Sequence, residues 1–168
     1  MSKIKELKVQ EYPQQVFQHI ISFTKEMNNP MLMKKEMDKL IERLGRKGHK
    51  HKHRVITKVL ARNEEMKTLT LQIMVPLKEN YDVTLFLKDH EEYELINEYY
   101  IKDSLKISIP NDMNEFKRAV NTFVNYYKDT NINELDLKNN HIIEIAKVDA
   151  FGTVIGFDLH LETEKEEV

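Results

Sequence analysis

The run from Ile56 to Leu77 is echoed between Ile142 and Glu162, and this echo constrains the fold more than any other feature of the chain. In the first copy Leu69, Leu71, Ile73, Val75 and Leu77 alternate with Thr70, Gln72, Met74 and Pro76. In the second, Ile155, Phe157, Leu159 and Leu161 alternate with Gly156, Asp158, His160 and Glu162. Both have the period of two expected of a strand with one buried face. A shift of 86 relates the two alternations, and the same shift carries Ile56 onto Ile142 and Val59 onto Ile145. Solenoid repeats are shorter, so the echo implies a duplicated unit within one domain.

The segments between the echoes repeat as well. Lys3 to Gln10 and Val16 to Phe23 read as strands separated by Tyr12-Pro13, because proline fixes φ and donates no ladder bond. A helix follows, with Asn29 as N-cap, Pro30 in the first turn and Gly45 as its terminating glycine. Its apolar stripe is Met33, Met37, Leu40, Ile41 and Leu44. Shifting that stripe by 83 gives Phe116, Val120, Phe123, Val124 and Tyr127, the stripe of a second helix that starts at Asn111 or Asp112. Asp112 and Glu115 have the spacing of a capping box. Tyr93 to Ile101 and Ser104 to Ile109 are extended and correspond to the first two strands. Val83 to Leu87 reads as one extra short strand in the connection.

The expected architecture is α+β: duplicated strand, helix and strand-hairpin units forming a curved, mostly antiparallel sheet with two helices on one face. The boundaries are 3–78 for the first repeat, 79–92 for the connection, 93–162 for the second repeat and 163–168 for an acidic tail, all within a single domain of 1–168. Ile143 and Ile145 alternate with Ile142, Glu144, Ala146 and Val148, so this strand is apolar on both sides apart from Glu144. A strand of that kind is covered on both faces. The expectation is a second cavity on the face away from the helices, with Glu144 pointing into it.

With 40% hydrophobic and 32% charged residues, the chain has a globular composition, and its net charge of −2 offers no general attraction for nucleic acid or an anionic membrane. The absence of cysteine excludes disulfides and thiolate chemistry. No signal peptide or membrane span is recognisable, so a cytoplasmic location is the expectation.

In this layout, "LTLQIMVPL" (Leu69 to Leu77) and "IIEIAKVDAFGTVIGFDLHLE" (Ile142 to Glu162) resemble the closing strands of the GyrI-like effector-binding domains, a bacterial ligand-sensing family. The resemblance runs from about Ile4 to Glu162. It implies a curved sheet, two outer helices and an aromatic-lined cleft whose buried carboxylate attracts lipophilic cations, and Glu144 is the matching position. The tryptophan common near the end of the family's second helix is replaced by Tyr126-Tyr127. With no helix-turn-helix ahead of the repeat, the resemblance implies a stand-alone member.

Six residues are candidates for ligand binding. Glu144 is a carboxylate among apolar neighbours, costly unless a cation or another partner compensates it. The alternative is an edge carboxylate paired with a basic neighbour. Glu98, Tyr99 and Tyr100 place aromatic faces beside a carboxylate, which suits organic cations but also describes ordinary cross-strand packing. Asp158, together with His160, lies on the face opposite the core stripe and could line the same cleft or a solvated surface. Tyr127 lies on the helix stripe, where a core role competes. His49, His51 and His53 alternate with lysines in an exposed linker, and no metal or other cofactor is expected there. Met33 and Met37 belong to the core, and Met27 and Met31 are an exposed pair suited to covering a mouth or a partner.

The leading functional expectation is a binding protein for a small organic, lipophilic and cationic ligand, serving as a sensor or sequestering module. An interaction module for a protein client and a hydrolase using a Glu/Tyr pair are the alternatives. Neither nucleic acid nor membrane is an expected partner.

Overall fold

The computed structural model describes residues 7–128 and 142–162. Among them are eight strands and three helices: β1 (Gln10–Tyr12), β2 (Gln15–Met27), α1 (Pro30–Arg46), β3 (Arg54–Asn63), β4 (Thr68–Pro76), α2 (Thr84–Asp89), β5 (Glu94–Ile101), β6 (Ser104–Pro110), α3 (Met113–Lys128), β7 (Ile142–Val148) and β8 (Val154–Glu162). All strand pairs are antiparallel, and the sheet order is β1-β6-β8-β7-β3-β4-β2-β5.

That order is symmetric about the β3–β7 pair. Outward from it run β4 and β2 on one side and β8 and β6 on the other. The first strand of each half crosses over, β1 pairing with β6 of the second half and β5 with β2 of the first. The two halves therefore share strand order and exchange their outermost strands. The fold is α+β, with the sheet curled into a half-barrel.

Both long helices pack on one sheet face. Met37, Leu40 and Leu44 of α1 meet Leu71, Ile73 and Val75 of β4 in one apolar cluster. Ala119, Phe123 and Val124 of α3 meet Ile107, Leu159 and Leu161 in a second. A fully buried side chain such as Leu40 or Phe123 contributes about 1.5–3 kcal/mol. The other face carries a third cluster around Ile20, Ile56, Met74, Ile101, Ile143 and Ile145.

The local signals explain the helix ends. The Asn29 side chain accepts a hydrogen bond from Met31 N at 2.9 Å, and Pro30 occupies the first turn. The terminating glycine is Gly48, not Gly45. His49 N donates to Leu44 O and Gly48 N to Gly45 O, a Schellman arrangement in which only Gly48 takes positive φ (74°). Asp112 caps α3, accepting from Asn114 N and Glu115 N at 2.8 and 3.4 Å. Glu115 turns instead to Arg118, so the reciprocal box is not closed.

Three other expectations are corrected. Val83 to Leu87 belongs to a short helix, because Val83 and Phe86 are the buried positions and their spacing of three is helical rather than alternating. Met27 is buried in the α1 cluster, because β2 runs four residues beyond Phe23 and keeps its pairing with Leu69. The histidine linker is not an exposed connection. His51 is buried and bridges Leu77, and His49 is half-buried against Tyr81 and Phe86. Of the strand expected from Lys3 to Gln10, residues 3–6 are not described, and the strand observed is the later Gln10–Tyr12, which runs up to Pro13; the acidic tail lies outside the described residues.

Candidate functional site

β7 sits at the centre of the sheet, and its register decides where Glu144 points. Glu144 pairs with Leu159 on β8 and with Thr57 on β3. Directly opposed residues share a face, so Glu144 lies with Leu159 on the helix-bearing face. The expected second cavity on the far face is therefore corrected. The apolar residues behind β7, Ile143 and Ile145, are covered by the third cluster, with Ile20, Met74 and Ile101.

The cavity is on the helix side, about 720 Å³ in volume, between α1, the centre of the sheet and the β7–β8 hairpin. Met33, Met37 and Ile41 of α1 form one wall. Val55 and Thr57 of β3, Glu144 and Ala146 of β7 and Phe157 of β8 form the floor. Phe151 to Val154 and Asn111 close one end, and Met31, Lys34, Asp38 and Glu42 stand on the helix side. Its size is that of sites for drug-sized molecules, and its floor is apolar apart from Thr57 and Glu144, with Lys34, Asp38, Glu42, Asn111 and Thr153 adding polar groups around it.

Glu144 is half-buried, and among the described residues it has neither a hydrogen bond nor an ion pair. Its apolar surroundings desolvate the carboxylate, and with nothing offsetting that cost its pKa is pushed up to about 7. Lys58, which a shift of 86 would make its counterpart, pairs with Gln72 on the other face and does not meet it. Because Leu71 corresponds to Phe157, and these pair with Val59 and Ala146, the shift for β3 onto β7 is 87 (146 − 59). The true counterpart of Glu144 is Thr57.

The other candidates lie elsewhere. Glu98 and Tyr100 are exposed on the edge strand β5, where the tyrosine hydroxyl donates to Glu98 Oε2 at 2.6 Å. Four strand spacings, about 19 Å, separate β5 from β7. Tyr99 packs into the third cluster, where burial and then the charge of Glu162 push its hydroxyl up to about 12. Asp158 and His160 oppose Ile145 and Ile143, on the face away from Glu144. Asp158 is engaged by Ser108, Lys147 and Lys106. Its pKa is lowered because, although burial is the largest single influence and acts upward, these partners together outweigh it. The side chain of Tyr127 lies outside the described residues.

His160 is buried, with Ser104 Oγ 2.9 Å from Nδ1 and the Gln15 amide 3.5 Å from Nε2. Burial pulls its pKa down to about 4 and keeps the ring neutral. A neutral ring donating from Nδ1 to Ser104 and accepting from Gln15 satisfies both contacts. No such acceptor-and-base pairing exists at Glu144, and among the described residues no tyrosine lines the cavity.

Sequence reasoning picked Glu144 but missed Thr57, Ile41, Phe151 and Phe157 as its companions. Thr57 follows only from the register: equivalent residues in a duplicated sheet must share a face, and a shift of 86 between β3 and β7 violates this once Thr57 is seen to pair with Glu144. His49, His51 and His53 stand apart from the cavity, with His51 Nδ1 accepting from His53 N at 3.0 Å and burial lowering the His51 pKa.

No family model matches the chain, and no curated protein matches it in sequence. Among solved structures, two align with 95% of its length. One is an integron cassette protein from the mobile metagenome of Vibrio cholerae, VCH_CASS2, at 9% identity, TM-score 0.43 and 97% of that chain. The other is SAV2435 bound to tetraphenylphosphonium, at 7% identity, TM-score 0.42 and 94% of that chain. Among the described residues no helix is long and apolar enough to cross a membrane.

Proposed function

We propose that this chain binds a drug-sized lipophilic organic cation in the cleft beneath α1, as a sensor or sequestering module of the GyrI-like kind. One observation carries the reading: an uncompensated carboxylate, Glu144, at the floor of an apolar cavity of about 720 Å³. Leaving such a group without a partner is costly in the empty protein, and a cationic guest supplies the partner. The apolar body of the guest replaces water along Met33, Met37, Ile41 and Phe157. Methionine suits this wall because its unbranched thioether side chain adapts to differently shaped guests.

Cation binding favours the ionised carboxylate, so affinity rises with pH until Glu144 is fully charged. Titration with tetraphenylphosphonium at pH 8 and pH 5.5, beside the neutral triphenylphosphine oxide, tests this. The expected result is cation affinity at least about tenfold weaker at the lower pH, with the neutral molecule unaffected and Glu144→Gln removing the pH dependence. Equal pH profiles for charged and neutral molecules would sink the reading.

A further inference from the structure

Phe151 is 92% exposed and yet lines the cavity. It is the most exposed of the large apolar side chains in the described residues, and it stands at the end of the cleft formed by the β7–β8 hairpin. The hairpin that carries it is tightly bonded. Asp149 Oδ1 accepts from both Phe151 N and Thr153 N at 2.9 Å, and Asp149 N donates to Thr153 O. Gly152 takes positive φ (82°), and a Cβ there would lie 3.4 Å from Ile41 Cδ1, so the loop is seated against α1. The backbone is thus pinned on both sides while the ring has no packing partner of its own.

A bare phenyl ring at the mouth of a cavity holds unburied surface that an occupant of the cavity would cover. From the named positions, Glu144 marks the floor and Phe151 the rim. Resting on the cation-binding reading above, we infer that Phe151 is the specificity-determining residue of the cleft. It selects ligands whose cationic centre is joined to an aromatic or long aliphatic body that reaches the rim, where the ring folds down by side-chain rotation and covers it. Two aromatic groups, Phe157 in the floor and Phe151 at the rim, then contact the body, while the charge is met by Glu144. Compact cations satisfy the carboxylate but leave the ring exposed, and so gain nothing from it.

The test compares tetraphenylphosphonium with tetraethylammonium on wild type, Phe151→Ala, Phe151→Leu and Glu144→Gln, by calorimetry at pH 8. Phe151→Ala is expected to weaken the large aryl cation by about ten- to a hundredfold, the worth of covering one phenyl ring, with Phe151→Leu intermediate and tetraethylammonium unchanged. Glu144→Gln weakens both cations. Because the chain contains no tryptophan, Phe151→Trp adds a single indole whose emission should shift to the blue when the aryl cation binds and stay unchanged with the compact one. If Phe151→Ala leaves the aryl cation unaffected while Glu144→Gln still weakens it, the selective role of Phe151 is overturned and the cleft reading survives. If neither cation binds the wild type, both fall.

Discussion

Thr57 and Glu144 are direct cross-strand partners and also equivalent positions of the two halves, so the pseudo-twofold axis of the sheet passes between them. A duplicated fold that kept the same residue in both copies would place two identical side chains face to face at this point. Two carboxylates there would repel, and one would stay protonated. Two threonines would leave the floor of the cavity without charge. The present pair breaks the symmetry at its centre, and the break gives the floor of the cleft its one ionisable group, with Lys34, Asp38 and Glu42 on the helix side.

That group makes stability depend on pH in a definite direction. Glu144 titrates in the folded protein at about 7, above its usual value of 4.5. The folded state thus holds this proton more tightly than the unfolded chain, and its contribution is complete below about pH 4.5 and lost as the pH rises through 7. Glu144→Gln should gain roughly 2–3 kcal/mol over wild type on going from pH 4 to pH 8, at about 1.4 kcal/mol for each unit of displacement. Urea unfolding at the two pH values measures the gain directly. Any fixed cost of the buried amide cancels in the difference, and a pH-independent offset would refute the assignment.

His160 acts in the opposite sense. Its pKa is pulled from 6.5 down to about 4 by burial, which outweighs the favourable charge of Asp158, with Lys106 acting in the same direction as burial. Its contribution is present above about pH 6.5 and lost as the pH falls through 4, because the unfolded chain then takes up the proton. Its counterpart in the first half is Met74 (160 − 86), at the same pairing position and fully buried. His160→Met should therefore flatten the acid limb between pH 6.5 and 4 by up to about 3 kcal/mol. A variant that unfolds in acid as steeply as wild type would place the acid-sensitive group elsewhere.

The architecture was legible because period-2 and period-3.6 patterns record which side of an element is buried, and both copies carry them. The strand that reads worst is β7, apolar on both sides, where alternation no longer says which face is which. Glu144 was therefore identified as the unusual residue but assigned to the wrong face. The hairpins compound this: each carries a register shift, at Val59/Ala61 in one and Lys147/Val148 in the other, and their loops differ in length, so the shift of 86 that serves β4 fails for β3. Phe151 was beyond reach for a different reason. A solitary phenylalanine in a hairpin loop has no periodicity, and only coordinates bring it to the mouth of a cavity.

The two glycines near the end of α1 give a sharp local test. Gly48 has φ of 74°, where a side chain is strained, and it supplies the turn that closes the Schellman hydrogen bonds. Gly48→Ala should cost about 1–2 kcal/mol. Gly45 is helical, and a methyl group added there meets nothing within 4 Å. Gly45→Ala should stabilise by about 0.5–1 kcal/mol through the lower helical cost of alanine. Thermal melts of the two variants should move in opposite directions, and a loss on Gly45→Ala would mean that it, not Gly48, ends the helix.

Thr57→Lys places a cation at the symmetry axis, opposite Glu144. Thr57 already lines the cavity, and the space of about 720 Å³ gives a longer side chain room without displacing the sheet. The new ammonium would compensate the carboxylate that a guest is proposed to meet, and an opposite charge at this range favours ionisation. The Glu144 carboxyl should then titrate well below 7, visible in the side-chain carbonyl signals of the labelled protein, and the loss of stability on going from pH 4 to pH 8 should shrink. Tetraphenylphosphonium should bind at least about tenfold more weakly, because a charge-assisted contact worth about 1.5–3 kcal/mol is already made. The neutral triphenylphosphine oxide should lose much less, since only volume has changed for it. If the phosphonium binds Thr57→Lys as tightly as wild type, Glu144 is not what holds the charge of the guest.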